Sequence, residues 1–281
     1  RMNFLTKVAI VARLKRLPAL PTIVCDLLAS FNQEELDVGQ LSRQIAKDQA
    51  LTACLLRIAN SSFYGLQCRV ATINDAVVLV GYRAVRSMVL AVSVNSVFRA
   101  DQCPGFDPQG YIRHSIGTGL GARALAVLSD RNPELAFTAG ILHDIGELAL
   151  ASCFADQYAR ALAYRQQHDC SLVVAERDVL GIDHAAVGGL LAELWHFPSS
   201  LQSAVVNHHS PAAATADSLA DIIHISDAIA HGLGLARSAG EMVLPVDPTA
   251  WQRLRLNDTK IAAVLQQVVA SMDEACVAFS G

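Results

Sequence analysis

The sequence predicts an all-α protein, and three observations carry that prediction. Apolar residues recur at three- and four-residue spacing in one segment after another, Ile23, Leu27 and Leu28 forming the first clear set. These segments open at capping residues and stop at glycines, and no stretch shows the strict apolar-polar alternation of a half-buried strand. With 52% apolar residues in 281, the chain has core enough for one large domain or two modest ones.

Taken in order, Pro18 and Pro21 bracket a turn, and Pro21-Thr22 opens a helix running to Asn32. Asp37 is the expected N-cap of VGQLSRQIAK, and Asp48 of a segment reaching Asn60. Three short helices in quick succession fit a bundle. The second and third have the order of a helix-turn-helix, but the intervening KDQA lacks the glycine and the surface lacks positive charge. Asn60 to Gly65, NSSFYG, is a turn-forming cluster with aromatic anchors. Thr72 caps INDAVVLVG, Gly81 ends it, and YRAVRSMVLAVSVNSVF is a long helix, apolar on most sides and therefore expected between two halves. DQCPGFDP, Asp101 to Pro108, punctuates rather than continues a helix, which places a join between subdomains 1–104 and 105–281.

A second long helix spans Gly110 to Ser129. Its Gly117, Gly119 and Gly121 each cost about 1 kcal/mol of helix propensity, so close approach of a neighbouring helix is the expected compensation. Pro133 opens the helix leading into His143-Asp144. Helices follow over Ala155 to His168 and Ser171 to Leu180; Asp183 caps one starting at His184, and Pro198 opens one ending at His208-His209. Asp217 to Leu233 and Asp258 to Phe279 complete the series.

The chemistry centres on FTAGILHDIGELAL, where His143 and Asp144 sit inside an apolar run. A buried imidazole beside a carboxylate is costly unless both are hydrogen-bonded or bound to a cation. The plain alternative is that Asp144 caps the following helix while His143 is a satisfied core histidine. The ordered series His114, His143-Asp144, His184, His208-His209, Asp227 favours the cation. That series resembles the metal-ligand series of the HD superfamily of phosphohydrolases, in particular its cyclic-dinucleotide phosphodiesterase branch. In the N-terminal half, LPALPTIVCDLLASF, VGQLSRQIAKDQALTACLLRIANSSFYGL and TINDAVVLVGYRAVRSMVLAVSV resemble the HDOD domain, a bacterial signalling module related to HD enzymes. The two resemblances run from about Leu17 to Gly232 and imply an HD-domain-like helical bundle with an N-terminal helical subdomain.

Imidazole and carboxylate together suit Fe, Mn, Zn or Ni, whereas an all-oxygen set would favour Mg or Ca. Seven candidate ligands exceed what one octahedral ion accepts while keeping a place for water. Two divalent ions bridged by Asp144 would use them all, in the arrangement that activates water for phosphoryl transfer. His224 and His231, three before and four after Asp227, share its helix face and are read as ordinary polar positions, further donors being the other reading. His168 and His196 are read as surface or packing residues. Three departures weigh against the phosphodiesterase pattern. Glu147 stands where HDIGK-type enzymes carry a lysine, SPAAAT follows His209 in place of a GYP-type loop, and Gly110 cannot supply the carboxylate some relatives place on that face.

Composition excludes several classes. A net charge of −4, with 22 Lys and Arg against 26 Asp and Glu and no basic block, argues against nucleic acid. The seven cysteines are scattered without a C-x-x-C, so neither a disulfide framework nor a thiolate zinc site is expected. There is no signal-peptide layout, and no apolar run is expected to reach the roughly 18–20 residues of a membrane helix, so the expected setting is cytoplasmic and away from membranes. The resemblance implies a signal-transduction module with a divalent metal site of one or two ions in its HD-like half, its partner a signalling protein or a phosphate-containing small molecule. A metal-dependent phosphohydrolase acting on a nucleotide or cyclic dinucleotide is the alternative.

Overall fold

Capping side chains set several helix starts where the sequence predicts them. Asp48 accepts from the Leu51 N–H at 3.0 Å, Thr72 and Asp75 form a reciprocal capping box, and Asp183 accepts from the Ala186 N–H at 2.8 Å. The computed structural model describes residues 4–29, 38–61, 64–213, 219–236, 242–243 and 245–279. Asp37, Ser62, Phe63 and Asp217, each given a role from sequence, lie outside the described residues.

The first half contains α1 (Lys7–Leu14), α2 (Thr22–Ala29), α3 (Val38–Ile45), α4 (Gln49–Ala59), α5 (Ile73–Val80) and α6 (Tyr82–Asn95). The second contains α7 (Pro108–Leu128), α8 (Pro133–Leu142), α9 (Ile145–Cys153), α10 (Ala155–His168), α11 (Leu172–Leu180) and α12 (His184–Leu194). It continues with α13 (Ser199–Asn207), α14 (Leu219–Gly232), α15 (Pro248–Arg253) and α16 (Asp258–Phe279). No strand occurs among the described residues, and the fold is all-α. The short α15, capped by Asp247, has no counterpart in the sequence pattern, because six residues offer too little periodicity.

Helix α6 is buried between the halves, packed on α4 and α5 on one side and on α8 on the other. Helix α16 also touches both halves: it lies along α7, and its last turn accepts from Arg57 Nε of α4 through the Ala278 carbonyl at 2.9 Å. Helix α1 leans on α9 and α12, and the Leu5 N–H donates to the Leu180 carbonyl at 2.8 Å, so this first helix packs against the second half.

The glycines of α7 act as anticipated. A Cβ on Gly140 of α8 would lie 2.6 Å from the Gly119 Cα, so the two backbones meet without side chains between them. This seam fixes α7, which carries His114, against α8, which His143 directly follows. Two stretches, Pro133–Cys153 and Asp258–Phe279, are long and apolar enough to cross a membrane by length and composition, contrary to the expectation that none is. The first is 83% buried and is broken by the buried His143-Asp144 pair, the pattern of a core element.

In an open helix Gly→Ala is favourable by about 0.5–1 kcal/mol. Gly140→Ala reverses that sign, because the new methyl meets backbone that cannot rotate away, and a cost of about 1–3 kcal/mol is expected in a thermal melt followed by circular dichroism.

Candidate metal centre

Separate helices deliver the seven predicted residues to one place. His114 comes from the middle of α7, and His143 and Asp144 from the break between α8 and α9. His184 is the first residue of α12, His208 and His209 follow α13, and Asp227 lies in α14. His114, His143, Asp144, His184, His208 and Asp227 are all buried.

Asp144 is the hub. Its Oδ2 is 2.8 Å from His143 Nε2 and 3.5 Å from His114 Nε2; its Oδ1 is 3.3 Å from both His184 Nε2 and His208 Nε2. Although it precedes α9, its side chain makes no capping hydrogen bond, which removes the plain alternative for this residue. Asp227 Oδ1 adds contacts of 3.0 Å to His114 Nε2 and 3.7 Å to His143 Nε2. His209 Nε2 lies 2.8 Å from His184 Nε2.

Three of the histidines are fixed by what their other nitrogens touch. His143 Nδ1 meets the Gly140 carbonyl at 2.7 Å, His208 Nδ1 the Val205 carbonyl at 2.8 Å, and His184 Nδ1 the Glu176 carboxylate at 2.7 Å. Carbonyls and carboxylates only accept, so each Nδ1 carries a proton, and whenever the ring is neutral its Nε2 lone pair points inward, a tautomer assigned from these partners. Nitrogens facing one another at 2.8 Å (His184 and His209) and 3.3 Å (His114 and His143) repel unless a proton or a cation lies between them. Asp144 Oδ1, Asp227 Oδ1 and His208 Nε2 are sealed from solvent and make no hydrogen bond of good geometry. This set of orphaned inward donors fits a borderline divalent transition metal.

The electrostatics carry the same demand. Burial would raise Asp144 and Asp227, yet the neighbouring histidines hold both well below the usual carboxylate range. Burial would depress His143, but the charge of Asp144 at 2.8 Å and then that of Asp227 outweigh it and bring His143 to about 10. Without ions, protons supply the positive charge. His209 shows the limit: burial, then the charges of His208 and His184, push it far below its ordinary value, since one pocket cannot hold imidazolium at every position.

Several contributors escape a reading by sequence alone. Glu176, fully buried in α11, accepts from both the Nδ1–H and the backbone N–H of His184; a glutamate at an apolar face spacing is its only signal. His224 is no ordinary polar position: it donates from Nδ1 to the His208 carbonyl at 2.7 Å and accepts from the Asp247 N–H at 2.9 Å. His231 lies 3.3 Å from Asp227 Oδ1. His168 is exposed and stacks on Tyr164 with centroids 4.0 Å apart, and His196 is exposed at a positive φ of 55°.

A cavity of about 340 Å³ opens onto the centre. Asp144, His184, His209, Asp227 and His231 line its floor, with Glu147, Tyr111 and Phe106 on its walls. Among the described lining residues Arg165 of α10 is the sole Lys or Arg. Burial and then the charge of Asp144 raise Glu147 to about 8, Arg165 pulling the other way.

The fold and this histidine-carboxylate cluster define an HD-like helical protein. The HDOD domain profile matches residues 17–211, most of the chain, and the chain belongs to the HDOD domain family. Solved structures agree in fold. An HDOD domain protein of unknown function from Geobacter sulfurreducens superposes with a TM-score of 0.78 at 21% identity, covering 98% of both chains. A candidate signal transduction protein from Marinobacter aquaeolei VT8 gives 0.78 at 20% identity over 100% of this chain and 68% of that one. A candidate phosphohydrolase from Shewanella amazonensis SB2B gives 0.68 at 26% identity over 92% and 97%. An uncharacterized protein of Treponema pallidum (strain Nichols) is 24% identical over 212 residues, 73% of this chain; the chain spans 40% of that curated relative's length.

Glu147 supplies a pH signature. Its folded value, about 8, lies above the ordinary 4.5, so the folded chain holds the extra proton between those values, and stability present below 4.5 is lost as pH rises through 8. In chelator-treated protein Glu147→Gln is expected to flatten the fall in melting temperature between about pH 5 and 8, leaving the two proteins alike near pH 4.

Proposed function

We propose that this chain is an HDOD signal-transduction module whose HD-like half holds two divalent transition-metal ions, and that occupancy of the site is reported to the N-terminal half. The carrying observation is the position of Asp144, whose two carboxylate oxygens face separate groups of imidazoles. Bound there, two such ions would acidify a shared water and offset charge on a phosphoryl oxygen. The chain's own work is positional: Gly140, Val205, Glu176 and His224 hold the imidazoles in place, keeping the inward lone pairs aimed.

A connection from site to N-terminal half supports the signalling reading. Helix α8 ends just before His143, and its first turn is gripped by the other half. Ser87 of α6 donates to the Glu134 carbonyl at 3.0 Å and accepts from Thr138 at 2.7 Å. The Glu134 carboxylate takes Arg123 Nε at 3.0 Å and the Tyr64 hydroxyl at 3.5 Å, while the Arg123 guanidinium lies 5.2 Å over the Tyr64 ring. Tyr64 belongs to the NSSFYG cluster that carries part of the HDOD resemblance, so a residue of that cluster docks on the helix that delivers metal ligands. The proposed partner is a signalling protein or a phosphate-containing small molecule.

The second reading, a metal-dependent phosphohydrolase, is favoured by the cavity. Arg165 supplies a cation on the wall, which offsets the missing lysine, and about 340 Å³ sits at the low end of the roughly 300–1,000 Å³ typical of small-molecule sites. A compact phosphoester suits that space better than a cyclic dinucleotide.

Metal analysis of protein purified without added ions, with a hydrolysis screen over nucleotides and cyclic dinucleotides in Mn and Fe, separates the readings. Asp144→Ala is expected to lose both ions; unchanged metal content overturns the site. Turnover in the wild type that disappears in His143→Ala establishes the enzyme. Hydrogen exchange should slow in residues 64–66 and 82–95 on metal loading, and identical exchange with and without metal would remove the signalling connection.

A further inference from the structure

Sequence sets His231 beside Asp227 as an ordinary helix neighbour, and the simplest account of it is an i,i+4 His–Asp pair at a cavity edge. Its surroundings exceed that account. The oxygen it approaches at 3.3 Å, Asp227 Oδ1, is the one that His114 Nε2 approaches at 3.0 Å and His143 Nε2 at 3.7 Å. Three ε nitrogens from α7, the end of α8 and α14 thus converge on one carboxylate oxygen. The His231 and His114 rings lie with centroids 4.4 Å apart, and donor atoms of His114, Asp227 and His231 all fall within 4.8 Å of one another. A quarter of the His231 side chain is exposed, on the cavity side of this group.

We propose that His231 is a direct ligand of one of the two ions and that the two ion positions are therefore unequal. The inference rests on the two-ion reading above. One position is assigned five protein donors. His114, Asp227 and His231 fall together; His143 and one oxygen of Asp144 form a second group through the shared His114 and reach the first by the 3.7 Å contact of His143 with Asp227. The other has four: His184, His208, His209 and the second oxygen of Asp144. If both ions take the six-donor shell common to divalent Mn and Fe, a water shared between them completes the first position. The second keeps room for a donor from outside, and the class of ligand it takes is an anionic oxygen donor such as inorganic phosphate. The crowding also assigns different work to the two histidines that share a face with Asp227. His231 binds, whereas His224 holds the His208 backbone from behind.

Titration with Co²⁺ tests this, because cobalt reports coordination number by absorption, four-coordinate ions absorbing several-fold more strongly than six-coordinate ones. The wild-type chain is expected to take two equivalents. In His231→Ala one equivalent weakens by at least about tenfold, the scale seen even for groups behind a ligand, and its absorption rises, while the other is unchanged. His231→Gln serves as the second variant, retaining a polar side chain at the cavity edge. Inorganic phosphate should shift the absorption of the equivalent that His231 does not influence. Unchanged affinity and spectrum for both equivalents in folded His231→Ala and His231→Gln overturn the assignment, as does a phosphate shift confined to the His231-sensitive equivalent. A wild-type chain that takes no Co²⁺ overturns the two-ion reading itself, an outcome distinct from loss confined to His231 variants.

Discussion

The structure is organised by a shortage of positive charge in its interior. Asp144 and Asp227 are sealed among helices with six imidazole rings around them, and no Lys or Arg side chain forms an ion pair with either carboxylate among the described contacts. Anions desolvated in this way are costly unless something cationic accompanies them. In the ion-free chain the histidines provide it by taking up protons, but the depression of His209 shows that the remedy saturates. A divalent ion on each side of Asp144 meets the same requirement without crowding protons between facing nitrogens.

Everything around the cluster limits how its rings can turn. Backbone carbonyls one turn before His143 and His208 take their outer protons, and the Glu176 carboxylate does so for His184. The two carbonyls come from local helix geometry, which is why ligands that end helices can be aimed so closely: the last turn supplies both the side chain and the carbonyl that orients it. Glu176 comes from a separate helix and therefore ties α11 to the front of α12. His224 performs the same service one layer further out, linking the His208 backbone to Asp247, which in turn caps α15.

How legible this is in the sequence varies with the physics involved. Helices with side-chain caps, those opened by Asp48, Thr72 and Asp183, can be placed almost to the residue, because capping is a local interaction between neighbours in the chain. The seven converging residues are readable as a series only through order and resemblance. Their partition around the two oxygens of Asp144 is not, since it depends on how α7, α12 and α14 cross. Sequence presents Glu147 as a repulsive anion; in the fold, burial and Asp144 favour its neutral form, and Arg165 supplies a cation on the same cavity wall. No sequence pattern links Glu147 of α9 to Arg165 of α10, because the relation arises only when α10 folds back over the cavity.

The seam between α7 and α8 has a consequence for which part of the centre can yield. Where Gly119 and Gly140 bring two backbones together there is no side chain to change rotamer, so the distance between His114 and His143 is set by main chain on both sides. In the opposite group His184 has a seam of its own, since Gly146 of α9 meets the His184 and Gly188 backbone of α12 directly. His208 and His209, by contrast, follow the end of α13 and are held by hydrogen bonds, His224 on the His208 carbonyl among them. An ion of a different radius would therefore be accommodated at the His208-His209 corner, where hydrogen bonds rather than touching backbones set position, with the two glycine-paired walls acting as the fixed jaws of a vice.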